Sequence, residues 1–503
     1  MKKLKYIVPA LAFAFFSCED YLDVNSPVDN PTGDQVTPNL SLSAAQTQTY
    51  RTLARTGNQF GNLFLNNWGY NVNAFAVTNP EEFSLSLTNN TYAGIWDGLY
   101  VNTANFTNII EHPAANYENH KAIAKILKAF YFQYLVDLYG DIPYTEAHKG
   151  SNNLTPEYDD DQAIYRDLVV QIEDAINTID NPVSATIQVG AEDVIFGGNM
   201  GAWKTFANTL KLRILLRQSE MTDGETTAYL AQEFSELQDA TFLTTDATIN
   251  PGYSNSNVEQ MNPYYNLWRD INGEPTNFYR QFAASRYFVD NLNDASAPDP
   301  RRSRIFTLIG GNVVGVLQGD SSATNGGTAP NPISQFGPAA TSSAAMDGYM
   351  MLAAESYLLQ SEAALRGFIP GDAGALFNLG VAASFNQMAV APGTYISSIS
   401  GIPNKGFNVG FTQEQNLRAI MYQKNVALTH VNAMEVFIEY TRTGFIDEIP
   451  LAGTGVPNGQ IPPRANRMRR LLYPNSEIVG NSANVPPLSL DAIFTQGPFW
   501  FVD

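Results

Sequence analysis

The sequence predicts a mainly α-helical protein in which helix pairs pack against a loop-rich layer. Three observations carry that prediction. Apolar residues recur at intervals of three and four in several long segments. The ends of those segments hold the glycines, prolines and capping side chains that start and stop helices. The stretches between them are long and rich in Gly, Pro, Asn and Ser.

The first element is not part of the body. "MKKLKYIVPALAFAFFSC" sets Lys2, Lys3 and Lys5 before a short apolar core from Tyr6 to Phe16, followed by Ser17 and Cys18, the pattern of a secretory signal over residues 1–17. Its ending resembles a bacterial lipoprotein signal, which makes Cys18, the single cysteine, the expected lipid-bearing residue. Residues 18–40 are dominated by Asp, Asn, Pro and Gly and read as an extended tether. Residues 41–503 are expected to form one body.

Within that body, "LKAFYFQYLVDLYGDIPYTEA" (127–147) extends a stripe of Ile123, Leu127, Phe130, Tyr131, Tyr134 and Leu138, one apolar face of a helix that stops at Gly140 and Pro143. Large rings at helical spacing bury, so this stretch reads as core. Residues 158–179 carry Ile164, Leu168, Ile172, Ala175, Ile176 and Ile179 on one face, and Asp159 to Asp161 suit the positive end of a helix better than a cation loop. Residues 201–220 show a stripe of Trp203, Phe206, Leu210 and Ile214. Residues 348–388 read as a helical hairpin turning at Gly367, Pro370 and Gly371, with Asp372 capping the second helix and small residues allowing a tetratricopeptide-like approach. Residues 411–445 open on a capping box, Thr412 to Gln415, and end at Gly444.

Composition removes several classes of function. The chain has 503 residues, 44% of them hydrophobic, which is enough for a large core. A formal net charge of −20 repels polyanions, so nucleic acid is not an expected partner. Beyond the leader no apolar run approaches the roughly 18 residues of a spanning helix. His112, His120, His148 and His430 are scattered, with no H-E-x-x-H, and neither a G-x-S-x-G elbow nor a Walker A loop occurs. No cofactor or metal is expected, and an enzyme is not; a surface glycoside hydrolase, which needs only two carboxylates, is the catalytic alternative.

Two stretches combine flat rings with amides, the pairing that a sugar's apolar face and hydroxyls require. "NNWGYNVN" (66–73) supplies Trp68 and Tyr70 beside Asn67, and "QMNPYYNLWRD" (260–270) supplies Tyr264, Tyr265 and Trp268 beside Asn266. The expectation is a shallow surface site in which Trp68 and Trp268 stack on glycan and a tyrosine extends the platform. Trp96 and Trp203 lie in helical segments and read as core; Trp500 reads as a terminal plug.

Several motifs, in this order and spacing, resemble the SusD/RagB family of Bacteroidetes outer-membrane lipoproteins: "SCEDYLDVN", "IWDGLYVNTANFTNII", "AIAKILKAFYFQYLVDLYGDIPYTEA", "GNMGAWKTFANTLKLRILLR", "AESYLLQSEAAL", "YQKNVALTHVNAMEVFIEYTRTGF" and "RRLLYPNSEIVGN". The resemblance spans nearly the whole chain. Thr441 departs from it, standing where the family often has a second arginine. It implies four tetratricopeptide-like helix pairs beside a loop-rich binding face, and outward-facing attachment to the outer membrane through the lipid on Cys18. It also implies capture of oligo- or polysaccharide, or for some members peptide, and delivery to a SusC-like TonB-dependent transporter.

Overall fold

The computed structural model describes residues 36–502 except 72, 74–80, 184, 318–331 and 452–466, so Cys18 and the leader lie outside the described residues. Helix α1 (Pro38–Thr52) starts with a proline in its first turn, where the missing N–H is no loss. It runs through one π-helical turn, Leu53–Gly57, into α2 (Asn58–Phe64). Asn66 then takes a left-handed conformation (φ 57°), tolerable for an asparagine, and turns the chain into the short strand β1 (Trp68–Tyr70).

Helices α3 (Ala93–Glu111), α4 (Glu118–Tyr139), α5 (Asp161–Asp180) and α6 (Met200–Arg217) pack in succession. The expected stripe of α4 is buried, but so are Phe132, Gln133, Leu135, Val136, Asp137 and Tyr139. The reason is position: α1, α3, α5, α6 and later α11 surround it, so no side of its second half meets water. Gly140 closes it at φ 72°. Asp160 caps α5 by accepting from the Ala163 N–H at 2.9 Å, while Asp159 accepts from the N–H groups of Tyr144 and Thr145. Helix α7 (Gly224–Glu236) follows, and β2 (Ala247–Ile249) opens the irregular part.

Strand β3 (Phe282–Ala284) pairs antiparallel with β1, Trp68 opposite Ala284 and Tyr70 opposite Phe282; β4 (Gly348–Met351) pairs with β2. The hairpin expected over 348–388 is therefore shorter at its start, with α8 (Ala353–Leu365) and α9 (Ala373–Gln387) as its helices and Asp372 accepting from Gly374 and Ala375. The 411–445 segment is two helices, α10 (Gln413–Leu428) and α11 (Ala433–Arg442), with the capping box at Thr412 present. Among the described residues no helix is long and apolar enough to cross a membrane.

Where α4, α6, α8, α10 and α11 meet, the interior is ionic. Arg217 on α6 faces Asp137 on α4 at 3.2 Å and Glu435 on α11 at 2.7 Å, and also pairs with Glu439. Arg213 meets Glu355 of α8 at 3.1 Å; Arg442 joins Glu439 and Glu362; Lys424 of α10 lies 3.3 Å from Glu439. All of these side chains are buried. Trp96 and Trp203 are core, and Trp500 is a plug whose Nε1 donates to Asp137 Oδ1 at 2.9 Å.

Candidate functional site

The structure brings the two ring-and-amide stretches together, but inward. The Trp68 and Trp268 rings meet edge to face at 5.5 Å, and Phe336 packs on both, at 4.5 and 4.7 Å. Both indoles have no accessible surface, and Tyr264, Tyr265 and Asn67 are buried too. This corrects the expectation of a shallow platform built on Trp68 and Trp268: an indole with no exposed face cannot stack on a sugar while the cluster is intact. The physical cause is the β1–β3 pairing, which lays the 66–70 segment across the 264–282 segment so that apolar rings from both exclude water together.

Polar groups inside this layer are tied to the scaffold. Asn67 and Asn425 of α10 exchange amide bonds at 2.7 and 3.0 Å, and Asn67 also donates to Asn62 Oδ1 of α2 at 3.1 Å. Asn262 Oδ1 accepts from the N–H groups of Tyr264 and Tyr265 at 2.9 and 3.0 Å. His430 Nε2 lies 3.0 Å from the Ile305 carbonyl, so it carries the proton, and Nδ1 accepts from the Tyr264 hydroxyl at 2.7 Å. Burial pushes this imidazole down to about 4, leaving it neutral. The bland role of a satisfied core histidine fits it.

What reaches solvent is the margin of the cluster. Tyr70 is partly exposed and packs on Phe282 at 5.1 Å; Phe278, also partly exposed, packs on the same ring at 4.9 Å and stacks on Trp268 at 5.5 Å. The Tyr70 hydroxyl is directed at Glu82 Oε2 (3.5 Å), whose other oxygen accepts from Tyr92 at 2.7 Å. Burial raises the Glu82 carboxyl, against the hydrogen bond from Tyr92. Exposed Asn277 and Arg280 and partly exposed Gln281 flank Phe278, and Arg269 lies over the Tyr279 ring at 4.4 Å. Asn266 is partly exposed and donates to the Val258 carbonyl at 3.5 Å. Of the expected residues, then, Tyr70 and Asn266 keep access to ligand. Phe278 lies outside both expected stretches, although "TNFYRQF" shows the same mixture of rings and amides.

The arrangement offers ring edges and planar polar groups for hydroxyls, and no assembled nucleophile or proton-transfer pair among these residues. Elsewhere, the carboxylates of Glu173, Glu233 and Glu236 converge on the Lys211 ammonium.

A family model described as "Starch-binding associating with outer membrane" matches residues 30–474. Solved structures of similar fold include a chitin-binding protein, at 22% identity and TM-score 0.71, covering 93% of this chain and all of the other. A chitin-binding SusD homolog from Flavobacterium johnsoniae shares 20% identity at TM-score 0.70, covering 91% and 98%. A SusD homolog from Bacteroides fragilis shares 18% at TM-score 0.71, covering 93% and 99%. No functionally curated protein matches the sequence.

Proposed function

The chain belongs to the SusD-like family, and from that premise we propose that it captures oligo- or polysaccharide at the outer surface of the outer membrane and hands it to a TonB-dependent transporter. The observation that carries this reading is the family match over nearly the whole body, with its starch-binding and outer-membrane description. The partly exposed rings Tyr70 and Phe278, set among amides and Arg280, support a glycan-contacting margin there. We place residues 1–17 as leader, with the lipid on Cys18 and a tether that ends where α1 begins at Pro38, slightly short of the expected limit at 40, so that the body runs from Pro38. The α8–α9 hairpin is the proposed transporter-docking surface. Since α8 is largely buried, the outer side of α9, where Leu379 is half exposed, would make the contact.

Binding without hydrolysis is the role proposed. Two matched structures bear chitin-binding names, so chitin oligosaccharides and starch are the first probes. Native affinity gels cast with each polysaccharide should retard the protein on at least one, and the retained glycan should show no new reducing ends. Retardation by none of them, with binding to a peptide mixture, would replace the glycan reading by the peptide one. New reducing ends would replace it by a hydrolase.

A further inference from the structure

Two accessible arginines, Arg269 and Arg280, stand beside the Tyr70–Phe278 margin with neither a carboxylate nor a backbone carbonyl on their guanidinium groups among the described residues. In a chain of net charge −20 that is unusual, because most guanidinium groups here are neutralised or donate to oxygens of the scaffold. Arg301, for example, meets Asp299 at 2.7 Å, and Arg304 donates to the Met388 carbonyl at 2.8 Å.

The packing that builds the margin also places both arginines. Arg269 follows Trp268, and the short helix Asn277–Gln281 sets two rings against that pair: Phe278 stacks on Trp268 at 5.5 Å, and the Arg269 guanidinium lies over the Tyr279 ring at 4.4 Å. Tyr279 is itself fixed, its hydroxyl donating to the Phe336 carbonyl at 3.1 Å. A ring beneath one face leaves the N–H groups, which lie in the guanidinium plane, to point sideways at a ligand. Arg280 comes next on the same helix, and its carbonyl accepts from Asn71 Nδ2 at 3.1 Å, which holds it beside Tyr70. Each partly exposed ring of the margin thus has an arginine at its side. The nearby carboxylates are engaged elsewhere: Asp270 Oδ1 accepts from the N–H groups of Asn272 and Glu274, both at 2.9 Å, Glu81 accepts from Thr91, and Glu82 accepts from Tyr92. Glu274 is exposed on its turn.

From this arrangement we propose that the ligand of the margin is an acidic glycan, an oligosaccharide that carries a carboxylate or sulfate group on or next to the sugar stacked on Phe278 or Tyr70. The inference rests on the glycan-binding reading of that margin and adds the charge. Neutral hydroxyls that displace water from the two guanidinium groups leave both cations uncompensated. A planar carboxylate instead meets the guanidinium fork with two parallel N–H···O bonds, and sulfate oxygens accept in the same way. The acidic surface elsewhere repels such a ligand, so the attraction that holds it must be local.

The test runs the full chain on affinity gels cast with polygalacturonate or alginate, which carry carboxylates, with carrageenan, which carries sulfates, and with the neutral polymers starch and glycol chitin. At least one acidic polymer should retard the protein more than either neutral one, added salt should weaken that retention, and the acidic polymer that acts identifies the anionic group. Titration with oligosaccharides of that polymer should then show affinity about tenfold weaker in Arg269→Gln, the size of one charge-assisted hydrogen bond, and a few-fold weaker in the more exposed Arg280→Gln. Should Arg269→Gln not fold, Arg269→Lys, which keeps the charge and loses the fork, takes its place. Starch or chitin held as tightly as every acidic polymer would overturn the proposal and leave the glycan reading standing. Unchanged affinity for the acidic ligand in both arginine variants would do the same. Retention by none of the polymers would remove the glycan reading itself, and this inference with it.

Discussion

The helical half and the loop half of the molecule exclude water with opposite chemistry. Around Arg213 and Arg217 the buried centre is charged, and each guanidinium must meet particular carboxylates from α4, α8 and α11. Around Trp68 and Trp268 it is aromatic, and the rings meet at angles from 24° to 86° without any one geometry being required. Paired charges select one register of helices, because a shifted helix strands a buried ion. Rings tolerate displacement, so their layer can grade outward into solvent, and Tyr70 and Phe278 lie on that gradient. The half that can expose packing surface at its edge is the half suited to hold a ligand.

Removing the centre of each half is expected to have the largest effects. Arg217→Met leaves Asp137, Glu435 and Glu439 short of a buried cation and should cost about 3–5 kcal/mol. Trp268→Ala empties the middle of the ring cluster and should also cost about 3–5 kcal/mol. Denaturant unfolding at two pH values separates them. The Arg217→Met loss should shrink in acid, where stranded carboxylates take protons, whereas the Trp268→Ala loss should stay constant. Equal pH responses would break the contrast between the two halves.

A second expectation concerns pH in the wild-type protein. Burial pushes Asp137 up to about 6 in spite of Arg217, and Asp161 likewise to about 6 in spite of the Phe499 N–H it accepts at 2.8 Å. A carboxyl raised on folding binds its proton more tightly in the folded state. Its contribution is therefore most favourable below the unfolded value near 4, declines as pH rises to about 6, and is flat beyond. Two units correspond to roughly 3 kcal/mol at most. Asp137→Asn should flatten the fall in melting temperature between pH 4 and 7; an unchanged slope would place the titration elsewhere.

These features were unevenly legible in the sequence. Helix α5 showed its buried face and its cap because both are local, and the Thr412 capping box is a four-residue signal. Arg213 and Arg217 were not legible, since arginines on a helix ordinarily mark a solvated face and their partners Glu355 and Glu435 lie far along the chain. The all-round burial of α4 follows from its neighbours rather than from its own period. In the candidate site, residue type and the nearness of the two stretches could be read, but a Trp among asparagines looks the same whether it faces sugar or Phe336. The side is decided by the β1–β3 register, which three-residue strands do not announce.

The smallest effect distinguishes the margin from the cluster most sharply. Phe278→Ala and Tyr70→Ala each remove a partly exposed ring, and a ring on a pyranose contributes about 1 kcal/mol beyond area burial, so each should weaken glycan binding roughly five- to tenfold. Because neither ring is fully enclosed, the melting temperature should fall much less than in Trp268→Ala. Titration calorimetry with the best glycan from the affinity gels, and thermal unfolding, should be run on the same preparations together with Trp268→Phe, which keeps a ring in the cluster. Loss of affinity in the margin variants with binding retained in Trp268→Phe places the ligand on the outer edge of the aromatic layer. The reverse pattern, full binding without Phe278 or Tyr70 and none in a folded Trp268→Phe, would mean that the cluster opens to ligand and that its closed packing is only one of its states.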